Sequence, residues 1–395
     1  MKKDNSFPEN WIEAELQRLR EEGLERSLQT FAGVGGKLRT GNREVLNFSS
    51  NDYLGLAGNK TIISAAEKAL ASFGAGSGSS RLVVGTLPVH LELEKKMAEF
   101  KGYPAALVFG SGYLANLGVI PALAGKDDAI IADKLVHASL IDGAILSRAN
   151  LKRFHHNDCD HLAQFLQNEK SARQKLVITE SVFSMDGDLA PLKEISRVCA
   201  EYGAMLLVDE AHSTGVFGAS GAGLVRELQI ENRVTISMGT LSKAIGAYGG
   251  FVACSELLQK WLINRARSFI YSTSLPPVIT TAALEALCFM KKNPLLGKNL
   301  LQNAARFRQR LKAAGFNTGN SASQIIPLII GENTKTLRFA ERLKEQGILA
   351  VAIRPPTVPE GTARIRLSVT LAHSQDDLDR AADQIVATAR REGLL

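Results

Sequence analysis

Short, nearly continuous apolar runs alternate along most of the chain with longer stretches whose apolar positions recur every three or four residues. The runs are Ala105–Phe109, Ala129–Ala132, Leu176–Thr179, Met205–Val208, Val234–Met238 and Gly250–Ala253. Unbroken apolar runs of this length are the pattern of strands covered on both faces. The spacing between them predicts helices. Over Leu192–Tyr202, Leu192, Ile195, Val198 and Tyr202 share a face and Gly203 supplies the stop. This alternation predicts an α/β fold in which a mostly parallel sheet is wrapped by helices. Ahead of it, Trp11–Leu28 reads as an amphipathic helix with Ile12, Leu16, Leu19, Leu24 and Leu28 on one stripe, and the Gly-rich link Gly33–Gly36 follows.

The pattern changes near Pro294. Helices are predicted over Ala304–Ala314, Thr336–Gln346 and Asp376–Arg390, with strands over Ile325–Ile330 and Arg364–Val369. That is a smaller α+β unit. The expected division is an N-terminal helical arm (1–45), a large domain (46–290) and a C-terminal small domain (291–395), which 395 residues can fill with separate cores.

Composition removes several classes. With 45% hydrophobic and 22% charged residues the chain is neither collagenous nor disordered. No apolar run approaches the ~18 residues of a membrane-spanning helix, so no membrane association is expected. Met1–Pro8 holds two lysines but no apolar core, so a secretory signal is not expected either. Cys159, Cys199, Cys254 and Cys288 are far apart and form no Cys-x-x-Cys pair. That fits thiols in the reducing cytoplasm better than disulfides or zinc. The net charge of +7 favours anionic partners. Its basic runs are only pairs, such as Lys95-Lys96 and Lys291-Lys292, so nucleic acid is not expected. The excess fits small anionic substrates, and equally a merely soluble basic surface.

Four segments carry candidate chemistry. In Ser237–Gly250 a lysine, Lys243, leaves a buried strand among hydroxyls and small residues. Poor solvation lowers a lysine pKa towards a nucleophilic amine, and small neighbours leave room for a flat cofactor. By itself the segment is equally a Gly-rich loop that happens to hold a lysine. In Met205–Gly215 the carboxylate of Asp209 ends an apolar strand, with His212 three residues on. A buried aspartate needs a partner that repays its desolvation, and a protonated pyridine nitrogen is one; Asp209 could instead cap a helix. Phe109–Asn116 follows a strand with glycines and opens a helix, which suits a phosphate. Its Gly110-x-Gly112-x-x-Ala115 is also a degenerate dinucleotide fingerprint, and a nicotinamide dehydrogenase built on it would leave Asp209 and Lys243 unexplained. The fourth is His137, just after the strand Ala129–Ala132. Two further patterns mislead. Asp209-Glu210-Ala211-His212 spells a helicase box, but none of Gly36-Lys37, Gly125-Lys126 and Gly297-Lys298 sits in a P-loop, so nucleotide hydrolysis is not expected. The run His155–His161 matches no standard metal spacing and reads as a solvated turn, so no metal is expected.

Together Asp209, His212 and Lys243, in this order and context, resemble the α-oxoamine synthases among the fold-type I enzymes that use pyridoxal 5′-phosphate (PLP). Asn47–Leu56, Gly74–Arg81, Thr179–Asp188 and Tyr271–Ser274 match the same family, and Ile353–Arg366 resembles its biotin-pathway member. The likeness runs from about Arg26 to His373. Ser242 stands where some members have Gly and others Ser. The resemblance implies a large PLP domain, a small C-terminal domain and a homodimer with active sites at the interface. It implies that Lys243 holds PLP as a Schiff base, that Asp209 keeps the pyridinium protonated and that His137 stacks on the ring. Ser184 and His212 would lie near the phenolic oxygen. Gly112, Tyr113 and Thr240 would seat the cofactor, and Thr273 would reach the phosphate across the dimer. Arg354 and Arg366 are the candidates for a substrate carboxylate. Arg26, Asn51 and Thr357 match positions that meet substrate or reacting groups, as does Glu180, which receives no role. The implied reaction joins L-alanine to a pimeloyl thioester, releasing CO2 and free thiol and giving 8-amino-7-oxononanoate for biotin synthesis. The alternative within the family is a glycine-using relative such as 2-amino-3-ketobutyrate CoA ligase. A non-enzymatic binder of anions is the reading from charge alone.

Overall fold

The computed structural model describes residues 10–395; Met1–Pro8 lies outside the described residues. Seven strands form the central sheet: β3 (Ala105–Phe109), β4 (Ala129–Asp133), β5 (Asn150–Phe154), β6 (Lys175–Glu180), β7 (Met205–Asp209), β8 (Ile236–Thr240) and β9 (Gly250–Cys254). Their order is β3-β9-β8-β7-β6-β4-β5. β4, β5, β6, β7 and β8 pair in parallel, whereas β9 runs antiparallel to both of its neighbours. Strands β3, β4, β8 and β9 are buried along their whole length, as their unbroken apolar or small-residue runs require. The edge strand β5 is Asn-Leu-Lys-Arg-Phe and mostly open, so it carried no apolar signal. β8 begins two residues later than the apolar run suggested, because Glu231–Arg233 forms a 3-10 turn ahead of it.

A second, antiparallel sheet has the order β10-β13-β12, built from β10 (Ile325–Gly331), β12 (Val351–Ile353) and β13 (Ala363–Ser368). It packs with helices Leu296–Ala313, Asn333–Glu345 and Gln375–Arg391. The first of these starts well before the expected Ala304, since nothing after Pro294 prevents a helix there.

The arm differs from expectation. Helix α1 covers Asn10–Glu21 only. Gly23 takes a left-handed φ of 64° just past its end, so Leu24 and Leu28 leave the predicted stripe. The next segment is a hairpin, β1 (Lys37–Thr40) with β2 (Arg43–Asn47), and β2 pairs in parallel with β11 (Ile348–Leu349). The start of the chain is thereby stitched to its C-terminal part. Among the described residues no helix is long and apolar enough to cross a membrane.

Candidate active site

Four of the five parallel strands end in polar residues at one edge of the sheet, where ligands of open α/β sheets bind. Glu180 closes β6 and Asp209 closes β7, and the two are register partners. Asp133 closes β4, and Thr240 closes β8. The turn after β7 carries His212, and the turn after β8 carries Lys243. The β7 turn is pinned from behind by a fully buried ion pair. Glu210 Oε2 accepts from Lys101 Nζ at 2.6 Å and Ser237 Oγ at 2.8 Å, while Oε1 accepts from Ser213 Oγ and the Val225 amide. With every oxygen served, the pair repays much of its desolvation. The Glu of the apparent helicase box is thus a structural group.

One cavity of about 260 Å³ is lined by Lys243, His137, His212, Ser184, Asn51 and Arg366, together with Ser49, Met185, Val351 and Ile353. Lys243 Nζ is 2.9 Å from His212 Nε2. Burial lowers the lysine pKa to about 8, against the opposing pull of Asp209 and Glu180. Burial, then the charges of Lys243 and Arg366, hold His212 far below its ordinary value, so it is neutral. His212 Nδ1 meets the Tyr53 hydroxyl at 2.6 Å. Arg366 donates from Nε to the Ser184 carbonyl at 2.6 Å, from Nη1 to Ser368 Oγ at 2.9 Å and from Nη2 to Asn51 Oδ1 at 3.2 Å. His137 is open to the cavity, and its backbone amide donates to Glu180 Oε1 at 2.5 Å. Burial and the nearby Asp209 push the Glu180 carboxyl pKa well up.

Gly112 and Tyr113 begin helix α4 (Gly112–Leu123), whose N-cap Ser111 accepts from the Leu114 amide at 3.1 Å. The helix end lies against β8 and β9. A Cβ on Gly112 would come within 3.5 Å of Thr240, and one on Gly250 would collide with the Gly112 nitrogen at 2.5 Å. Only glycine at 250 lets a helix N-terminus sit so close to the strand ends, the setting that favours a phosphate. Thr240 Oγ1 donates to the Gly249 carbonyl, and Tyr113 bonds Asp142.

The structure does not bring the other predicted residues to this cavity. Arg26, Arg354 and Thr357 line a larger one of about 910 Å³, which shares Ser49, Val351 and Ile353 with the first. Its wall includes the non-helical stretch Leu24–Gln29. Arg354 bonds the Gly23 carbonyl, so of the two candidate carboxylate binders only Arg366 stands beside Lys243. Thr273 is exposed, bridges to Ser80 and borders a crevice near Gly110.

The run His155–His161 is split by the fold. His155, Asp158 and His161 bring their ligand atoms within 4.8 Å of one another on the surface. However, His161 Nδ1 accepts the His155 amide at 3.1 Å, so its proton is on Nε2 and a metal would have to displace that bond. His156 turns inward instead. Its Nδ1 is 3.0 Å from Asp133 Oδ1 and its Nε2 is 2.8 Å from Asp188 Oδ2, and the ring stands edge-on to Phe183. The two carboxylates raise its pKa to about 10 despite burial.

Asp209 tests whether PLP fits. It is 6% exposed and makes no ion pair among the described residues. Oδ1 accepts the Ala211 amide at 2.9 Å and Oδ2 accepts Asn116 Nδ2 at 3.2 Å. A buried carboxylate with donors but no cation is completed by a pyridinium N–H. The comparisons agree. The aminotransferase class I and II family matches residues 43–385. The 8-amino-7-oxononanoate synthase of Geobacter sulfurreducens is 46% identical over 97% of this chain and 99% of its own. The chain belongs to this family, and within it to the α-oxoamine synthases. Its cofactor is PLP and its reaction class is acyl transfer. Another 8-amino-7-oxononanoate synthase, from Anaeromyxobacter sp. (strain K), is 47% identical over 94% of this chain and 93% of its own. Among solved structures, serine palmitoyltransferase from S. paucimobilis has a TM-score of 0.92 at 31% identity, covering 98% of both chains. The 8-amino-7-oxononanoate synthase of Francisella tularensis has 0.77 at 30%, covering 88% of this chain and 99% of that one. Like both, this α-oxoamine synthase has the type I fold.

Tyr53, Asn116 and Ser139 were not singled out by the sequence. Tyr53 lies inside the matched segment Asn47–Leu56, which was a usable signal. Asn116 closes the candidate segment Phe109–Asn116, read there for its glycines, and Ser139 lies two residues after His137; neither was given a role.

Proposed function

We propose that this α-oxoamine synthase condenses L-alanine with a pimeloyl thioester in biotin biosynthesis. A bond forms between the alanine Cα and the acyl carbonyl carbon, the C–S bond breaks, and CO2 and free thiol leave with 8-amino-7-oxononanoate. The observation that carries this is one cavity holding a depressed-pKa amine and one guanidinium, opening beside a larger cavity with its own cations. The near full-length identity to relatives named for this reaction supports the choice of substrates.

PLP, when bound, supplies an electron sink for the amino acid Cα. Lys243 would hold it, Asp209 would pair with its ring nitrogen, and His137, Ser184 and His212 would lie around it. The α4 N-terminus, with Gly112, Tyr113 and Thr240, and Thr273 of a second copy would take the phosphate. Arg366 binds the α-carboxylate until it departs, with Asn51 beside it. Lys243 Nζ can take up and return a proton near neutral pH. Arg26, Arg354 and Thr357 meet the acyl donor in the outer cavity. The working protein is a cytoplasmic homodimer, with 46–290 as its large and 291–395 as its small domain.

Thiol release by the PLP-loaded protein tests the reading. Release with L-alanine plus pimeloyl-CoA alone is expected. Release only with glycine plus acetyl-CoA, or only with L-serine plus palmitoyl-CoA, would keep the chemistry and overturn the substrates.

A further inference from the structure

Two side chains join His137 to Asp209 from outside the cavity. Asn116 lies in α4 and is 1% exposed; Ser139 lies at the start of helix Ala138–Ser147 and is equally buried. Asn116 Nδ2 is 3.0 Å from Ser139 Oγ and 3.2 Å from Asp209 Oδ2. A carboxylate only accepts, so the amide atom facing it is nitrogen, and its two protons serve Ser139 and Asp209. Ser139 Oγ, having accepted one proton, has its own to give to His137 Nδ1 at 2.8 Å. The Ser139 backbone amide points at the same Nδ1 from 3.2 Å. A ring nitrogen that receives two donors carries no proton. His137 therefore holds its proton on Nε2, which has no partner among the described residues.

Asn116 Oδ1 is buried and has no partner. The amide is retained at an energetic cost, which its two donor bonds repay. The charged groups facing His137 are Asp209 from β7, Lys243 from the turn after β8 and Asp142 from its own helix. Burial holds the imidazole below its ordinary value, which agrees with a neutral ring.

We propose that Asn116 and Ser139 are positioning residues which fix His137 as the neutral Nε2–H tautomer and aim the Asp209 carboxylate with the same amide group. The relay gives the cavity a fixed N–H donor at His137 and holds the buried Asp209 carboxylate in a fixed orientation. It couples them, because Asn116 cannot rotate to favour one partner without releasing the other. The proposal deepens the reading that PLP and alanine occupy this cavity, and its kinetic arm rests on that reading; its spectroscopic arm does not.

The test uses the full chain, labelled with ¹⁵N-histidine, with the His137 signals assigned from His137→Asn. The cofactor-free protein at neutral pH is expected to show a neutral Nε2-protonated His137. Ser139→Ala removes the hydroxyl donor and is expected to give mixed tautomers. In the loaded enzyme it should lower kcat about tenfold, with the alanine KM within about twofold. Asn116→Ala should raise the PLP dissociation constant about tenfold, because Asp209 loses one of its two donors. An Nδ1-protonated or doubly protonated His137 in the unaltered chain overturns the relay without any variant. So does a Ser139→Ala protein with both spectrum and kcat unchanged. A chain that shows the Nε2–H signal yet never turns over L-alanine would overturn the proposed function and uphold the relay.

Discussion

Lys243 Nζ and Tyr53 Oη stand on opposite sides of one imidazole, 2.9 Å from His212 Nε2 and 2.6 Å from Nδ1. Tyr53 is also in reach of Asn51 Oδ1 at 3.1 Å, and burial raises its own pKa. The hydroxyl therefore stays protonated and donates to Asn51. His212 Nδ1–H donates to Tyr53, leaving Nε2 to accept from Lys243. The sequence placed Lys243 and His212 at a cofactor. The structure adds that they share a hydrogen bond in a chain ending at Asn51, which also takes Arg366.

Lys243→Ala should abolish turnover. PLP should still bind, but no covalent link should be trapped by borohydride. Near-normal thiol release by this variant would refute the role given to the lysine.

The lowered pKa of Lys243 sets a pH dependence for capture of PLP by the cofactor-free protein. Only the free amine attacks the aldehyde, so the rate should rise with pH through a midpoint at about 8. Stopped-flow absorbance would show it. A midpoint at the ordinary lysine value of 10.5 would contradict the desolvated site.

The two arginines should separate kinetically. Arg366→Ala removes the only guanidinium that lines the inner cavity among the described residues and should raise the alanine KM about 10–100-fold, the range for a lost charged hydrogen bond. Arg354→Ala should raise the KM for the acyl donor and leave that for alanine little changed. Equal effects of both variants on alanine would show that the inner and outer cavities do not divide the substrates.

His156 offers a stability test at alkaline pH. Its folded pKa of about 10 lies above the ordinary 6.5. Its ion pairs therefore contribute fully below pH 6.5, and that contribution is lost as pH rises through about 10. His156→Gln should melt below the parent chain at pH 7, and the gap should close above pH 10. A gap that persists at high pH would mean the bonds to Asp133 and Asp188 do not depend on charge.

Asp209→Asn should leave the fold intact, since the amide oxygen can still accept from Ala211, while the amide nitrogen in place of Oδ2 meets Asn116 Nδ2 donor to donor and loses that bond. It should slow α-proton exchange of alanine, read by NMR in deuterated solvent. An unchanged rate would exclude Asp209 as the partner of the ring nitrogen.

Much of this was legible because each signal was local. The buried strands announced themselves as apolar runs, and Lys243, Asp209 and His212 sit where such runs end. β5 was missed because an edge strand needs no apolar run, and the α1 boundary because Leu24 and Leu28 kept helical spacing beyond Gly23. Other failures are of a different kind. Arg354 and Arg366 look alike in sequence, and only the packing of β12 against β13 puts one in each cavity. His156 looked like part of a surface turn, yet its partners Asp133 and Asp188 come from two other segments. Asn116 and Ser139 are ordinary polar residues whose meaning depends on Asp209, 93 residues after Asn116.

The pairing of β2 with β11 also bears on how the enzyme is made. Phe48 donates to the Leu349 carbonyl, and Ser49 Oγ reaches the same oxygen across 300 residues of chain. A nascent chain can build its central sheet strand by strand as it leaves the ribosome. The outer cavity, walled on one side by Leu24–Gln29 and on the other by Leu349–Pro355, has no second wall until synthesis is almost finished. The segment made first must wait for the segment made nearly last, so a prematurely terminated chain retains the strands of its sheet but lacks the outer cavity.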